Sequence, residues 1–252
     1  MQRILFLLSF YFLQSGLFAQ HEDTMFVKAA DLRINQLQTG TYSYLVYNKQ
    51  DAHSAALHLT LVKMNIQKNS ETVMVTQQWE SADTVIHSAY TVLDSRTLAT
   101  RIHNTWWKRL GYEMRFNFIT KTVEFSGAIP DSSQQKIRDD FNRSIAVYSL
   151  NWHSDLVIFS LLPYALHRTF LINYFDPGFG PSQKVAYTVE TQDELKDNAG
   201  NRVDCWVLVH KPRENAYQKF WVSKKTNEIL KEEDFFGGRL RYKLKLGVAA
   251  DF

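Results

Sequence analysis

The chain has 252 residues, 45% hydrophobic and 14% aromatic, with one cysteine and a formal charge of +3. This composition can build a sizeable core and excludes a disordered chain. The near-neutral balance gives no footprint for nucleic acid, and the lone Cys205 cannot form an internal disulfide.

Residues 1–19 read as a secretory signal peptide. Arg3 supplies the positive start, Ile4 to Leu13 the apolar run, and Ala19 the small residue before cleavage. Gln14 and Ser15 interrupt the run, which falls short of the roughly 20 residues that span a bilayer. No cysteine lies near the cleavage point, so a lipid anchor is not expected. Residues 20–252 are then expected across the inner membrane as a single periplasmic domain, with association at the outer membrane left open.

Period-two alternation predicts strands along most of the mature chain. The first is Gly40 to Tyr47. Leu57, Leu59 and Leu61 then alternate with His58, Thr60 and Val62, and Met64 and Ile66 continue the run. Thr72 to Trp79, Thr84 to Val92 and Leu98 to Trp107 follow. Tyr112, Met114, Phe116 and Phe118 form one apolar face, Thr120-Lys121 a tight turn, and Val123 to Gly127 the return of a hairpin.

Two stretches read as helices. Ser132 to Phe141 carries Asp139 and Asp140 on a polar face. Ser149 to Leu162 stops at Pro163, with Asn151 or Ser154 as cap, and is apolar nearly all round from Leu156. Such a helix should be buried on most sides. Asp176 to Pro181 reads as a loop and a candidate domain boundary. Strands resume at Lys184 to Glu190, Arg202 to His210, Tyr217 to Ser223, Ile229 to Phe236 and Arg239 to Leu246, with turns at Asp197 to Asn201 and Lys225 to Asn227. Many strands at short spacing predict one mainly β domain, a continuous antiparallel sheet or open barrel.

No motif for chemistry emerges. The eight histidines form no His-x-His and no His-Glu-x-x-His, so no metal site is expected, and they read as scattered rim residues. No Gly-x-Ser-x-Gly elbow or phosphate-cradling glycine loop is present, so no catalytic residue and no cofactor is assigned. Asp139-Asp140 and Glu232-Glu233-Asp234 read as solvated carboxylates. An enzyme would need distant histidines and carboxylates to converge in a polar cleft. Cys205 shares a face with Val203, Val207 and Val209 and reads as a buried small hydrophobe.

Two features read as binding surfaces. Alternation from Arg239 to Leu246 puts Arg239, Arg241, Lys243 and Lys245 on one face. This reads as an exposed face that deters edge pairing or as a patch for anionic headgroups or an acidic envelope partner. Trp206 faces opposite the Cys205 set, and Trp221 opposite Phe220 and Val222, so these strands are apolar on both faces and need cover on each.

Ser160-Leu161-Leu162-Pro163, the strand around Val203 to Val209, and Phe220-Trp221-Val222-Ser223-Lys224-Lys225-Thr226-Asn227-Glu228-Ile229-Leu230 together carry a resemblance. Over about 150–246 the chain resembles a family of uncharacterised secreted bacterial proteins, related in fold to the Lol-type periplasmic lipoprotein carriers. The resemblance implies a strongly curved antiparallel sheet, an unclosed barrel wrapped around one or two helices. In the carriers the concave face holds acyl chains. Trp152, Leu156, Phe159, Leu162, Trp206 and Trp221 are then the candidate ligand-binding residues. The expected function is non-enzymatic binding of a hydrophobic or lipid-like ligand, lipid or acylated. The alternative is a structural or interaction module of the envelope, its concave face filled by its own helix.

Overall fold

The computed structural model describes residues 23–247 apart from residue 52, so the signal-peptide reading lies outside the described residues. The strands are β1 (Thr24–Phe26), β2 (Gly40–Lys49), β3 (Leu57–Lys68), β4 (Thr72–Ser81), β5 (Thr84–Asp94), β6 (Thr100–Trp107), β7 (Tyr112–Asn117), β8 (Thr122–Gly127), β9 (Leu150–Asn151), β10 (Thr169–Phe175), β11 (Gln183–Lys196), β12 (Arg202–Arg213), β13 (Ala216–Ser223), β14 (Ile229–Phe236) and β15 (Arg239–Lys245). The helices are α1 (Asp131–Ser144) and α2 (Asp155–Phe159).

These strands form one curved sheet, ordered β1-β10-β11-β12-β13-β14-β15-β2-β3-β4-β5-β6-β7-β8, with β9 beside β10. The fold is mainly β and the barrel does not close. All neighbours are antiparallel except β1 and β9, which run parallel to β10. The last strand, β15, pairs with β2, so the two halves of the chain meet in mid-sheet.

Alternation holds along most strands. Val62, Met64 and Ile66 of β3 point inward, while Leu57 and Leu59 at its start are 51% and 54% exposed. The inward phase is thus set by the later half of that run. The hairpin at Thr120-Lys121 forms as expected: Asn117 Oδ1 accepts the amides of Ile119 and Thr120, and Lys121 takes a φ of +60°.

The main core lies on the concave face, where α2 packs against inward residues of β10, β11, β12 and β13. Phe159 is fully buried and contacts the rings of Tyr174, Tyr187 and Phe220. The expected helix over Ser149–Leu162 is much shorter than read. Leu150–Asn151 is drawn into pairing with β10, Trp152–Ser154 forms a 3-10 turn capped by the Asn151 side chain, and only Asp155–Phe159 is α-helical. β10 itself was not read from the sequence. α1 is the longer helix, and Asp140 is not on a solvated face: it is buried and paired with Lys136 and Arg143.

The open side of the barrel is closed by side chains rather than hydrogen bonds. Phe116 and Phe118 from one end of the sheet, Phe141 of α1 and Phe175 from the other end form an aromatic cluster, with ring centroids 5.0–6.3 Å apart. A separate cluster lies on the opposite sheet face, where Cys205, Val207 and Val209 pack with Trp221 and Leu230. Burial pushes the Cys205 thiol up to about 12.

Candidate functional site

A cavity of about 330 Å³ lies on the concave side, against the 3-10 turn and the start of α2. β4 contributes Gln77 and Trp79, β5 His87, β6 Trp107, and the 3-10 turn and α2 Trp152, His153 and Asp155. The loop after β10 adds Asp176 and Phe179, and β13 to β15 add Gln218, Glu232, Arg241 and Lys243. Arg109, with its guanidinium 5.1 Å from the Trp107 ring centroid, also lines it.

Strand register explains the charged wall. Glu232 lies directly opposite Lys243, and Asp234 opposite Arg241, so one face of the β14–β15 pair carries two acids against two bases. Arg241 Nε donates to Asp234 at 2.6 Å and its Nη2 to Glu232 at 2.7 Å, while Lys243 pairs with Glu232. Both carboxylates are nearly inaccessible. Burial opposes the Glu232 charge, but Lys243 and Arg241 hold its carboxyl down, to about 2. Burial and then Glu232 itself push Asp234 up.

The histidines converge too. His87, His103 and His153 come from β5, β6 and the 3-10 turn. The His103 and His153 rings are 4.7 Å apart and those of His87 and His153 5.5 Å. His87 stacks on Trp107 at 3.6 Å, and its Nδ1–H donates to the Trp106 carbonyl at 2.8 Å. Burial lowers His87 to about 4 and, together with His87 as neighbour, His153 to about 3. Burial, then His153 and His87, also hold His103 well below its ordinary value, so the site favours the neutral form of all three rings. His153 Nδ1 stands 3.7 Å from Asp176 Oδ1, too far for a hydrogen bond, and neither atom has a protein partner. Burial and then Asp155 push Asp176 up to about 7; burial pushes Asp155 to about 6 against the pull of Lys243.

The reading of the histidines as scattered rim residues is thus corrected for these three. Sequence spacing gave no sign of it, because they lie on separate elements. Among the described residues, no cluster of three or more His, Cys, Asp or Glu side chains could hold a metal ion.

Model comparison places residues 43–245 in one family, described as protein of unknown function (DUF3108). The chain belongs to it. The resemblance read from the last two-fifths of the sequence therefore extends over most of the chain. No curated protein matches. The fold is similar to a beta-barrel-like protein of domain of unknown function DUF1849 from Brucella abortus, at 8% identity and TM-score 0.38, covering 84% of this chain and 98% of that one. It is also similar to a putative outer membrane lipoprotein-sorting protein domain from Vibrio parahaemolyticus, at 12% identity and TM-score 0.25, covering 83% of each chain. Neither likeness bears on the site.

Of the residues singled out for ligand binding, only Trp152 lines this cavity. Leu156, Phe159 and Leu162 are buried core residues packed with α2's neighbours. Trp206 packs partly buried against the same core, whereas Trp221 lies on the opposite face and donates its Nε1–H to Asp193. The four-cation face is corrected as well. Arg239 is exposed, but Arg241 and Lys243 point inward into ion pairs with acids of the facing strand β14, and Lys245 pairs with Glu228 in the turn before it. No helix among the described residues is long and apolar enough to cross a membrane.

Proposed function

We propose that this protein is an exported, non-enzymatic binding protein of the bacterial cell envelope. It takes a small amphipathic ligand whose polar head enters the concave cavity. The observation that carries this reading is the cavity itself: about 330 Å³, walled by Trp79, Trp107 and Trp152 and floored by fixed polar groups. Its size lies at the low end of small-molecule sites, and its mix of aromatic walls with a few placed polar groups is their usual make-up. Phe179, 48% exposed and edge-on to Trp107 at 6.5 Å, gives the apolar part of a ligand a contact at the rim.

A lipid chain threaded through the hollow is a poorer fit. Phe159 and Leu162 are fully buried there, and the gap beside Leu156 and Tyr44 measures about 30 Å³. That filled hollow also favours a second reading, an interaction module with no ligand. Catalysis ranks below binding: His153, Asp155 and Asp176 do converge in the cavity, as an enzyme would require, but the His153–Asp176 pair is held 3.7 Å apart and the β15 arginine and lysine are tied to acids.

Native mass spectrometry of the mature chain, purified from an envelope without detergent, tests the proposal. A reproducible adduct that extracts into solvent, and is lost when Trp107 and Trp152 are replaced by alanine, is expected. A bare mass that stays bare when amphiphiles are offered would leave only the interaction module.

A further inference from the structure

We infer that the head recognised in this cavity is a neutral polyhydroxyl group, a glycosyl ring. The inference rests on the binding function proposed above and names its ligand class. Three observations narrow the chemistry.

The cavity already balances its own strongest charges. Arg241 and Lys243 are committed to Glu232 and Asp234. An anionic head would find Arg109 as the one lining cation outside the ion pairs, but it would have to approach Glu232 and, once they ionise, Asp155 and Asp176, and repulsion in a poorly solvated site is costly. A cationic head would need open aromatic faces. Two of the four lining rings are already engaged, since Lys243 lies 5.7 Å from the Trp79 ring centroid and Trp107 has Arg109 at 5.1 Å and His87 stacked at 3.6 Å, and the remaining Trp152 and Phe179 are too few to cage a cation. A charged head of either sign is therefore disfavoured.

What the site lacks is hydrogen-bond partners of both kinds. Trp107 Nε1, a donor only, and Asp176 Oδ1, an acceptor when ionised, are buried with no protein partner, as is His153 Nδ1. The 3.7 Å gap between His153 Nδ1 and Asp176 Oδ1 is too long for a direct bond. Hydroxyls both donate and accept, so a ring bearing several can serve Trp107 and Asp176 together. Trp152 and Phe179 offer apolar surface for the C–H face of such a ring.

The test is titration calorimetry below the micelle threshold with octyl glycosides of glucose, galactose and N-acetylglucosamine, against octyl phosphate and octyltrimethylammonium. At least one glycoside should bind tenfold or more tightly than either charged amphiphile, and the matching free sugar should compete. Trp107→Phe, which keeps a ring but removes the N–H, and Asp176→Ala, in an accessible loop, should each weaken that glycoside at least tenfold while the thermal melt stays cooperative. Tighter binding of octyl phosphate or octyltrimethylammonium overturns the glycosyl assignment and leaves the amphipathic reading standing. So does equal binding of all heads without competition by free sugar. No binding of any amphiphile overturns both.

Discussion

Arg241 holds two carboxylates, Glu232 and Asp234, that are both almost wholly withdrawn from water. Removing it leaves charges that neither solvent nor another base can fully serve. Arg241→Met should therefore destabilise by about 3–5 kcal/mol, read from urea unfolding; a change under about 1 kcal/mol would mean solvent reaches the acids. The titrating groups in and beside the cavity pull in opposite directions. His87, His103 and His153 stay neutral well below their ordinary 6.5, so only the unfolded chain gains protons there, and their share of stability falls as pH drops below that value. Asp155 and Asp176 stay protonated above their ordinary 3.8, so their share falls as pH rises, toward about 6 for Asp155 and about 7 for Asp176. Asp176→Asn deletes one of the latter contributions. The stability of this variant relative to wild type should rise steadily from pH 4 to pH 7; a flat difference across that range would show that Asp176 titrates normally.

At the scale of the element, α2 matters more than its five residues suggest, because Phe159 joins aromatic rings from β10, β11 and β13. Phe159→Ala should cost about 3–5 kcal/mol through lost burial and the cavity left behind, seen as a lower denaturation midpoint with an unchanged slope. The loop after β10 is constrained in another way. Gly178 sits at a φ of +92°, and a Cβ there would meet Met114 Cε at 2.5 Å. Gly178→Ala puts a side chain at a positive φ and makes the flexible end of Met114 shift, and the backbone strain should destabilise by about 1–3 kcal/mol. Since this loop carries Asp176 and Phe179, the same change should weaken ligand uptake in the mass-spectrometric assay. Uptake at wild-type level would detach the loop from the site.

Over the whole molecule, the sheet depends on a join between distant parts of the chain. β15 is hydrogen-bonded to β14 on one side and β2 on the other, so the C-terminal strand holds the two halves together. A chain ending before Arg239 should lose cooperative unfolding, measured by calorimetry, and expose two new edges prone to association. A single sharp transition in that chain would show that the aromatic cluster at the open side suffices. That cluster unites β7, α1 and β10, which are far apart in sequence, so it is a non-local contact.

Local sequence determined the strands well. The hairpin around Asn117 to Lys121, the strand at Ile229 to Phe236 and the face shared by Cys205, Val207 and Val209 all follow from alternation and turn chemistry acting over a few residues. It determined less where a neighbour decided. Leu150–Asn151 became a strand because β10 offers it hydrogen bonds, and Arg241 and Lys243 turned inward because Glu232 and Asp234 lie opposite. The cavity was decided by tertiary structure alone. His87, His103, His153 and Asp176 come from four separate segments, and their neutral rings and raised carboxyl reflect burial that exists only once the sheet has curved around α2. Periodicity reports which face a residue takes. Only the folded sheet fixes which other faces it meets.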